Sequence, residues 1–244
     1  KIDGIRLWSS LLVPNADGID ITSSFNVVIA NSDIRTGDDA IAVVSYSHHF
    51  EIPGYKGIKK DCETKLKTGY WWGNGEPIHI SAVRCNPDVK LGQIKNVNFS
   101  NIICEGENGI LVYGSDENTI ENLCFKNVTF KITDSKLSNV AGGNIDLRGQ
   151  MYAHRNIFSH DIPALYASKV KELTIDDFKL QWDTGLPSFF TNGILVNDFK
   201  NLKINNFQGS ASPSNSALKS ITLKDGFGFK SDVDKSAVQL ENVK

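Results

Sequence analysis

Three aspartates give this chain its most chemically suggestive feature. Asp17 stands in Pro14-Asn15-Ala16-Asp17-Gly18-Ile19-Asp20, and Asp38 and Asp39 stand one repeat later in Thr36-Gly37-Asp38-Asp39-Ala40-Ile41-Ala42-Val43. In a parallel β-helix, residues one coil apart lie side by side, with about 4.8 Å between strands. Asp17, Asp38 and Asp39 can then gather on one face. One protonated carboxyl to serve a leaving oxygen, beside ionised carboxylates that activate water, is the equipment for hydrolysing a glycosidic bond. Crowding three carboxylates raises the pKa of at least one, as a general acid requires. Neighbours in a regular strand point to opposite faces. Asp38 and Asp39 therefore both reach the groove only at a bend, which Gly37 permits. The plainer alternative is that all three are turn residues between coils.

The elements that must position these groups are legible as a repeat. Five segments share the pattern polar–apolar–x–apolar–x–Asn/Asp: Asn26 to Asn31, Asn96 to Asn101, Asn122 to Asn127, Glu172 to Asp177 and Asn201 to Asn206. The alternation is that of a strand with one buried face. The closing Asn or Asp suits a left-handed turn, and stacked coils would set these side chains in a ladder. Second strands are expected over residues 40–44, 78–83, 109–113, 143–147 and 193–196. Residues 164–169 read as a short helix or an irregular turn, and the Ser-rich stretch 210–216, with Pro213, as a turn or a mobile tip. The rival architecture, a β-sandwich, has Asp-Gly and Asn-Gly pairs available for hairpins but does not require a recurring strand–Asn–strand unit. The expected fold is therefore all-β, a right-handed parallel β-helix with coils of about 20–29 residues.

Composition narrows the function. The chain has 244 residues with a net charge of −2, which argues against a nucleic-acid binder. No apolar run of about 20 residues is present to span a membrane. The cysteines, Cys62, Cys85, Cys104 and Cys124, form no CxxC pair, so a zinc or redox site is not expected. Cys104 and Cys124 read as buried thiols in neighbouring coils. The region 46–76 reads as a loop insertion. It holds Trp71 and Trp72, which could stack on sugar rings or simply pack the loop onto the solenoid. A solenoid needs caps at both ends. The chain enters directly into Ile2-Asp3-Gly4-Ile5-Arg6-Leu7-Trp8, so one domain over 1–244 is expected, with N-terminal coils and a cap missing.

Asn15-Ala16-Asp17 followed by Thr36-Gly37-Asp38-Asp39 resembles the Asn-x-Asp and Gly-Asp-Asp signatures of glycoside hydrolase family 28, the polygalacturonases and rhamnogalacturonan hydrolases. Residues 94–103, 114–116 and 142–149 resemble its more distant bacterial members. The resemblance implies that Asp38 is the general acid, that Asp17 and Asp39 position the attacking water with inversion at the anomeric carbon, and that Asn15 holds the neighbouring carboxylates. It further implies a poly- or oligosaccharide substrate of pectic type, no cofactor or metal, a monomer, and a secreted or periplasmic location. The family's Gly-His-Gly and Arg-Ile-Lys motifs do not occur here. His79 is a candidate to support catalysis in place of the first, and Arg84 to bind a substrate carboxylate in place of the second; His48, His49 and Arg148 are further candidates. The alternatives are a non-catalytic carbohydrate-binding β-helix and a polysaccharide lyase or epimerase on the same solenoid.

Overall fold

The computed structural model describes residues 1–9, 17–22, 26–36, 39–44, 76–82, 91–134, 144–146 and 157–244. Most strands run parallel and pair with the strand one coil away. Ile19–Thr22 pairs with Ile41–Val44, then follow His79–Ser81, Ile110–Tyr113, the first part of Leu165–Trp182, Ile194–Asn205, Ile221–Ser231 and Val238–Val243. A second file runs from Val28–Arg35 through Lys95–Gly106 and Ile120–Ile132 to the later part of Leu165–Trp182. The chain is thus an all-β solenoid, a right-handed parallel β-helix, the hand that parallel crossovers favour.

The period-2 pattern explains the stacking. Ile19, Ile41, Ile110, Leu165, Ile194 and Ile221 occupy equivalent inward positions in register, with Ile78 fully buried beside them. Phe99 and Phe125, also in register and both 0% exposed, stack with centroids 5.2 Å apart. Ile175 continues that column in the next coil. A side chain that repeats coil after coil fills the interior without the long-range jigsaw that a globular core needs.

The coils turn at left-handed residues. In all five repeat segments both the first and the last polar residue has positive φ: Asn26 and Asn31, Asn96 and Asn101, Asn122 and Asn127, Glu172 and Asp177, Asn201 and Asn206. The expected side-chain ladder forms as well. Asn122 donates to Asn96 at 2.7 Å, Asn127 to Asn101 at 2.8 Å, and Asn31 to Asp3 at 2.6 Å; Asn206 donates to Asp177. Short amides tolerate this backbone and bridge to the next coil. Asn127 sits at φ 52°. Its replacement by Ala is expected to cost about 1–2 kcal/mol of backbone strain beyond the lost hydrogen bond. Asn127→Gly should lose the hydrogen bond alone. Urea denaturation of the two variants separates the contributions.

Three sequence expectations are corrected. Residues 164–169 are neither helix nor irregular turn: Leu165–Trp182 is one long strand. Leu165 and Ala167 are buried inward, against Ile110 and Val112, and this ladder overrides the helix propensity of Ala and Leu. Asn144–Asp146 is a strand, as expected, but not a rung of the solenoid. It pairs antiparallel with Ile157–Ser159 in a separate sheet. Cys104 and Cys124 are free thiols on neighbouring coils. Cys104 is buried, and burial pushes its thiol up to about 12. Cys124 is only half-buried, because its parity points it outward; its in-register neighbour is Asn98. Cys62, Cys85 and the loop read over 46–76, apart from Glu76, lie outside the described residues.

Candidate active site

A polar residue precedes the strand in four successive coils on one edge of the solenoid. The register Ile19↔Ile41, extended back two residues, sets Asp17 beside Asp39, and Gly18 N–H donates to the Asp39 carbonyl at 2.9 Å. Extending Ala42↔His79 and His79↔Leu111 in the same way sets Asp39 beside Glu76 and Glu76 beside Asn108. The backbone bond from Ala40 N–H to the Glu76 carbonyl, 3.3 Å, follows this register. Asp17, Asp39, Glu76 and Asn108 therefore form a ladder across four coils. Gly18 keeps the first rung close: a Cβ there would stand 2.4 Å from the Ala40 carbonyl oxygen.

Burial deepens along the ladder. Asp17 is exposed, the Asp39 side chain is 19% exposed, and Glu76 and Asn108 are buried. Ladder positions share the inward parity of the Ile two residues later, yet Asp17 and Asp39, on the first two coils of the ladder, still reach solvent. A bend at Pro77 and Ile78 brings Glu76 within reach of His79. Glu76 Oε2 lies 3.1 Å from His79 Nδ1, and Asn108 Nδ2 donates to Glu76 Oε1 at 3.3 Å. Asp39 Oδ2 is 3.6 Å from the same Nδ1, and Asp39 Oδ1 accepts from the Glu76 backbone N–H at 3.0 Å. His79 Nε2 lies 3.0 Å from Ser81 Oγ. Removing a carboxylate from water costs several kcal/mol unless it is paired, and these contacts offset that cost for Glu76.

Asp39, Glu76 and His79 bring one ligating atom each within 4.8 Å of one another. A divalent cation could bridge that spacing, but the hydrogen bonds above join the same groups without one.

Asp20 stands two rows from His79 on the outward stripe, with the small Ala42 between them. Partial burial raises its carboxyl above the ordinary 3.8, while His79 pulls it the other way. A carboxyl raised in the folded state binds more protons there than in the unfolded chain. Its contribution to stability is therefore lost as pH rises from about 4. Asp20→Asn is expected to gain stability relative to the parent protein as pH rises from 4 to 7, read from urea midpoints at each pH.

Beyond His79 the next three positions of the stripe are Leu111, Tyr166 and Leu195; Leu111 and Tyr166 form a small cluster with Tyr113 and Leu195, and the His160 ring packs on Tyr166 at 4.6 Å.

Of the sequence-predicted site residues, the structure brings together Asp17, Asp39 and His79. Asp38, Asn15, Arg84, Trp71 and Trp72, with His48, His49 and Arg148, lie outside the described residues. Glu76 and Asn108 were not singled out as site residues. Their signal is the polar–small–Ile triplet that recurs as Asp17-Gly18-Ile19, Asp39-Ala40-Ile41, Glu76-Pro77-Ile78 and Asn108-Gly109-Ile110.

Fold and site together define a parallel β-helix with a stacked carboxylate edge. Residues 2–59 match the family model of the glycosyl hydrolases family 28. The chain is 28% identical over 134 residues to a probable polygalacturonase of Arabidopsis thaliana, covering 54% of this chain and 20% of that protein. It is 27% identical over 156 residues to an exopolygalacturonase of Rhizopus delemar, covering 55% of this chain and 41% of that one. The matched stretches thus span less than half the length of either relative. No solved structure matches the chain. The chain is thus similar to glycoside hydrolase family 28, by the family model over residues 2–59 and by the two relatives over about half of its length.

Proposed function

We propose that this protein is an inverting glycoside hydrolase acting on pectic or related plant polysaccharide, with Asp17, Asp38 and Asp39 at its centre. The observation that carries the reading is the in-register pairing of Asp17 with Asp39 on adjacent coils, within the stretch that matches the family model. Two carboxylates about one strand spacing apart can share one water molecule. Asp39 is anchored by the Glu76 N–H at one oxygen and faces His79 with the other, so its orientation is fixed before substrate arrives. In the proposed reaction Asp17 and Asp39 hold the water, and its proton passes to a carboxylate. The water oxygen bonds to the anomeric carbon as the glycosidic bond breaks. Asp38 gives its proton to the departing oxygen. No cofactor enters this scheme.

The polygalacturonase names of the relatives support the substrate class, and a secreted or periplasmic location is proposed because a polymeric substrate of that kind lies outside the cell. Among the described residues no helix is long and apolar enough to cross a membrane. A single domain over 1–244, working as a monomer, is part of the proposal.

Reducing-end release from homogalacturonan, rhamnogalacturonan and their oligomers tests it, comparing the parent protein with Asp38→Asn. Release by the parent protein, lowered about 10²–10⁴-fold in the variant, is expected. Binding without release would favour a non-catalytic carbohydrate-binding module, and unsaturated products a lyase.

A further inference from the structure

We infer that Glu76 is a positioning residue for the proposed hydrolysis: it fixes the His79 imidazole against Asp39. The inference rests on the hydrolase reading but concerns a residue outside its three aspartates.

Two carboxylate oxygens face His79 Nδ1, Glu76 Oε2 at 3.1 Å and Asp39 Oδ2 at 3.6 Å. A bare nitrogen lone pair there would repel both. A proton on Nδ1 satisfies Glu76 by a hydrogen bond and presents positive charge to Asp39. The other ring nitrogen lies 3.0 Å from Ser81 Oγ, which can donate to it or accept from it. The ring is thus held at both ends, with Glu76 selecting the protonated nitrogen. A carboxylate that sets the tautomer and tilt of a histidine is a recurring way to prepare that ring for work on a third group.

Glu76 is itself immobilised. It is 2% exposed; Asn108 Nδ2 donates to its second oxygen at 3.3 Å, and Asn108 Oδ1 accepts from the Gly109 N–H at 2.8 Å. Its own backbone N–H donates to Asp39 Oδ1. One residue therefore reaches Asp39 twice, directly through the main chain and indirectly through His79. A carboxylate this buried is a poor choice for stability alone, since hydrophobic replacements of buried ionic pairs are often neutral or stabilising. Asp20, Asp39 and Glu76 are the carboxyls that face His79 among the described residues.

Two readouts test the inference, applied to Glu76→Gln and Glu76→Asp with circular dichroism as the check of fold. The first is independent of activity. Imidazole ¹⁵N spectra, with His79→Gln to assign the signal among the five histidines, should show Nδ1 protonated at neutral pH in the parent protein. In Glu76→Gln the proton should move to Nε2. An unchanged His79 signal would overturn the inference, whatever the substrate proves to be. The second uses the substrate that the panel identifies. Glu76→Gln should lower kcat roughly ten- to a hundredfold, a part of what a general base supplies, with KM nearly constant, and Glu76→Asp should recover part of the loss. A fall confined to KM would overturn the inference. So would activity lost to EDTA and restored by a divalent cation, because the three groups would then belong to a metal. If the parent protein cleaves nothing, the hydrolase reading fails, and the ¹⁵N result alone decides whether Glu76 sets His79.

Discussion

Asp39→Asn is expected to lower kcat about 10²–10⁴-fold, the range a positioned general base supplies, with the fold retained. Asparagine keeps the size and planarity of the side chain, and its carbonyl oxygen can still accept from the Glu76 N–H, now 3.0 Å from Asp39 Oδ1. The change removes the negative charge that faces His79 at 3.6 Å and the basic oxygen offered to water. Because the geometry survives, substrate binding should change little, and the loss should fall on kcat rather than KM. The ladder sharpens the expectation. Asp17 is exposed and Glu76 is buried; Asp39, partly exposed between them, combines access to solvent with two fixed contacts. Steady-state kinetics on the substrate found in the panel checks the effect. A variant with kcat within threefold of the parent protein would remove Asp39 from the water-activating role.

The largest effect on stability is expected at Phe125. Its ring is fully buried, stacks on Phe99 at 5.2 Å with 12° between planes, and meets Ile175 in the next coil. Phe125→Ala should cost about 3–5 kcal/mol, from lost transfer energy and the cavity left behind, of which about 0.5–1.5 kcal/mol belongs to the aromatic pair. A solenoid feels such a loss on two interfaces, because each coil contacts both its neighbours. Equilibrium urea unfolding checks it. Phe125→Leu, which fills most of the space, should cost much less. Equal losses in the two variants would mean that packing at this position is not what holds the coils together.

Much of this architecture was legible in the sequence because a solenoid writes its structure locally. A polar–apolar–x–apolar–x–Asn segment states both the buried face and the turn, and the same five segments appear as strands bounded by left-handed residues. The left-handed conformation at the first position of each segment was not anticipated. Glu172 shows why: at φ 60° it takes a conformation that its residue type disfavours, and the stack imposes it. Residues 164–169 misled for a related reason. Ala and Leu favour helix, while the parallel neighbours that make the stretch a strand, residues 110–113 and 194–197, lie far away in sequence. In the site, a carboxylate one coil from Asp17 followed from the repeat, but the coil counted from Asp17 to Asp38 is one residue shorter than the register, which sets Asp17 beside Asp39. Glu76 did not follow from the repeat, because its coil is far from Asp39 in sequence, and spacing alone does not give register across such an interval.

The carboxylate edge at Asp17 and Asp39 is proposed to hydrolyse a glycosidic bond with inversion. The most direct measurement is proton NMR of the first product formed by the parent protein from the pectic oligomer it cleaves, read before the new reducing end equilibrates. A single new reducing end is expected, with anomeric configuration opposite to that of the broken linkage. A first product with retained configuration would contradict it, as would an unsaturated sugar or an oligomer that binds and stays intact.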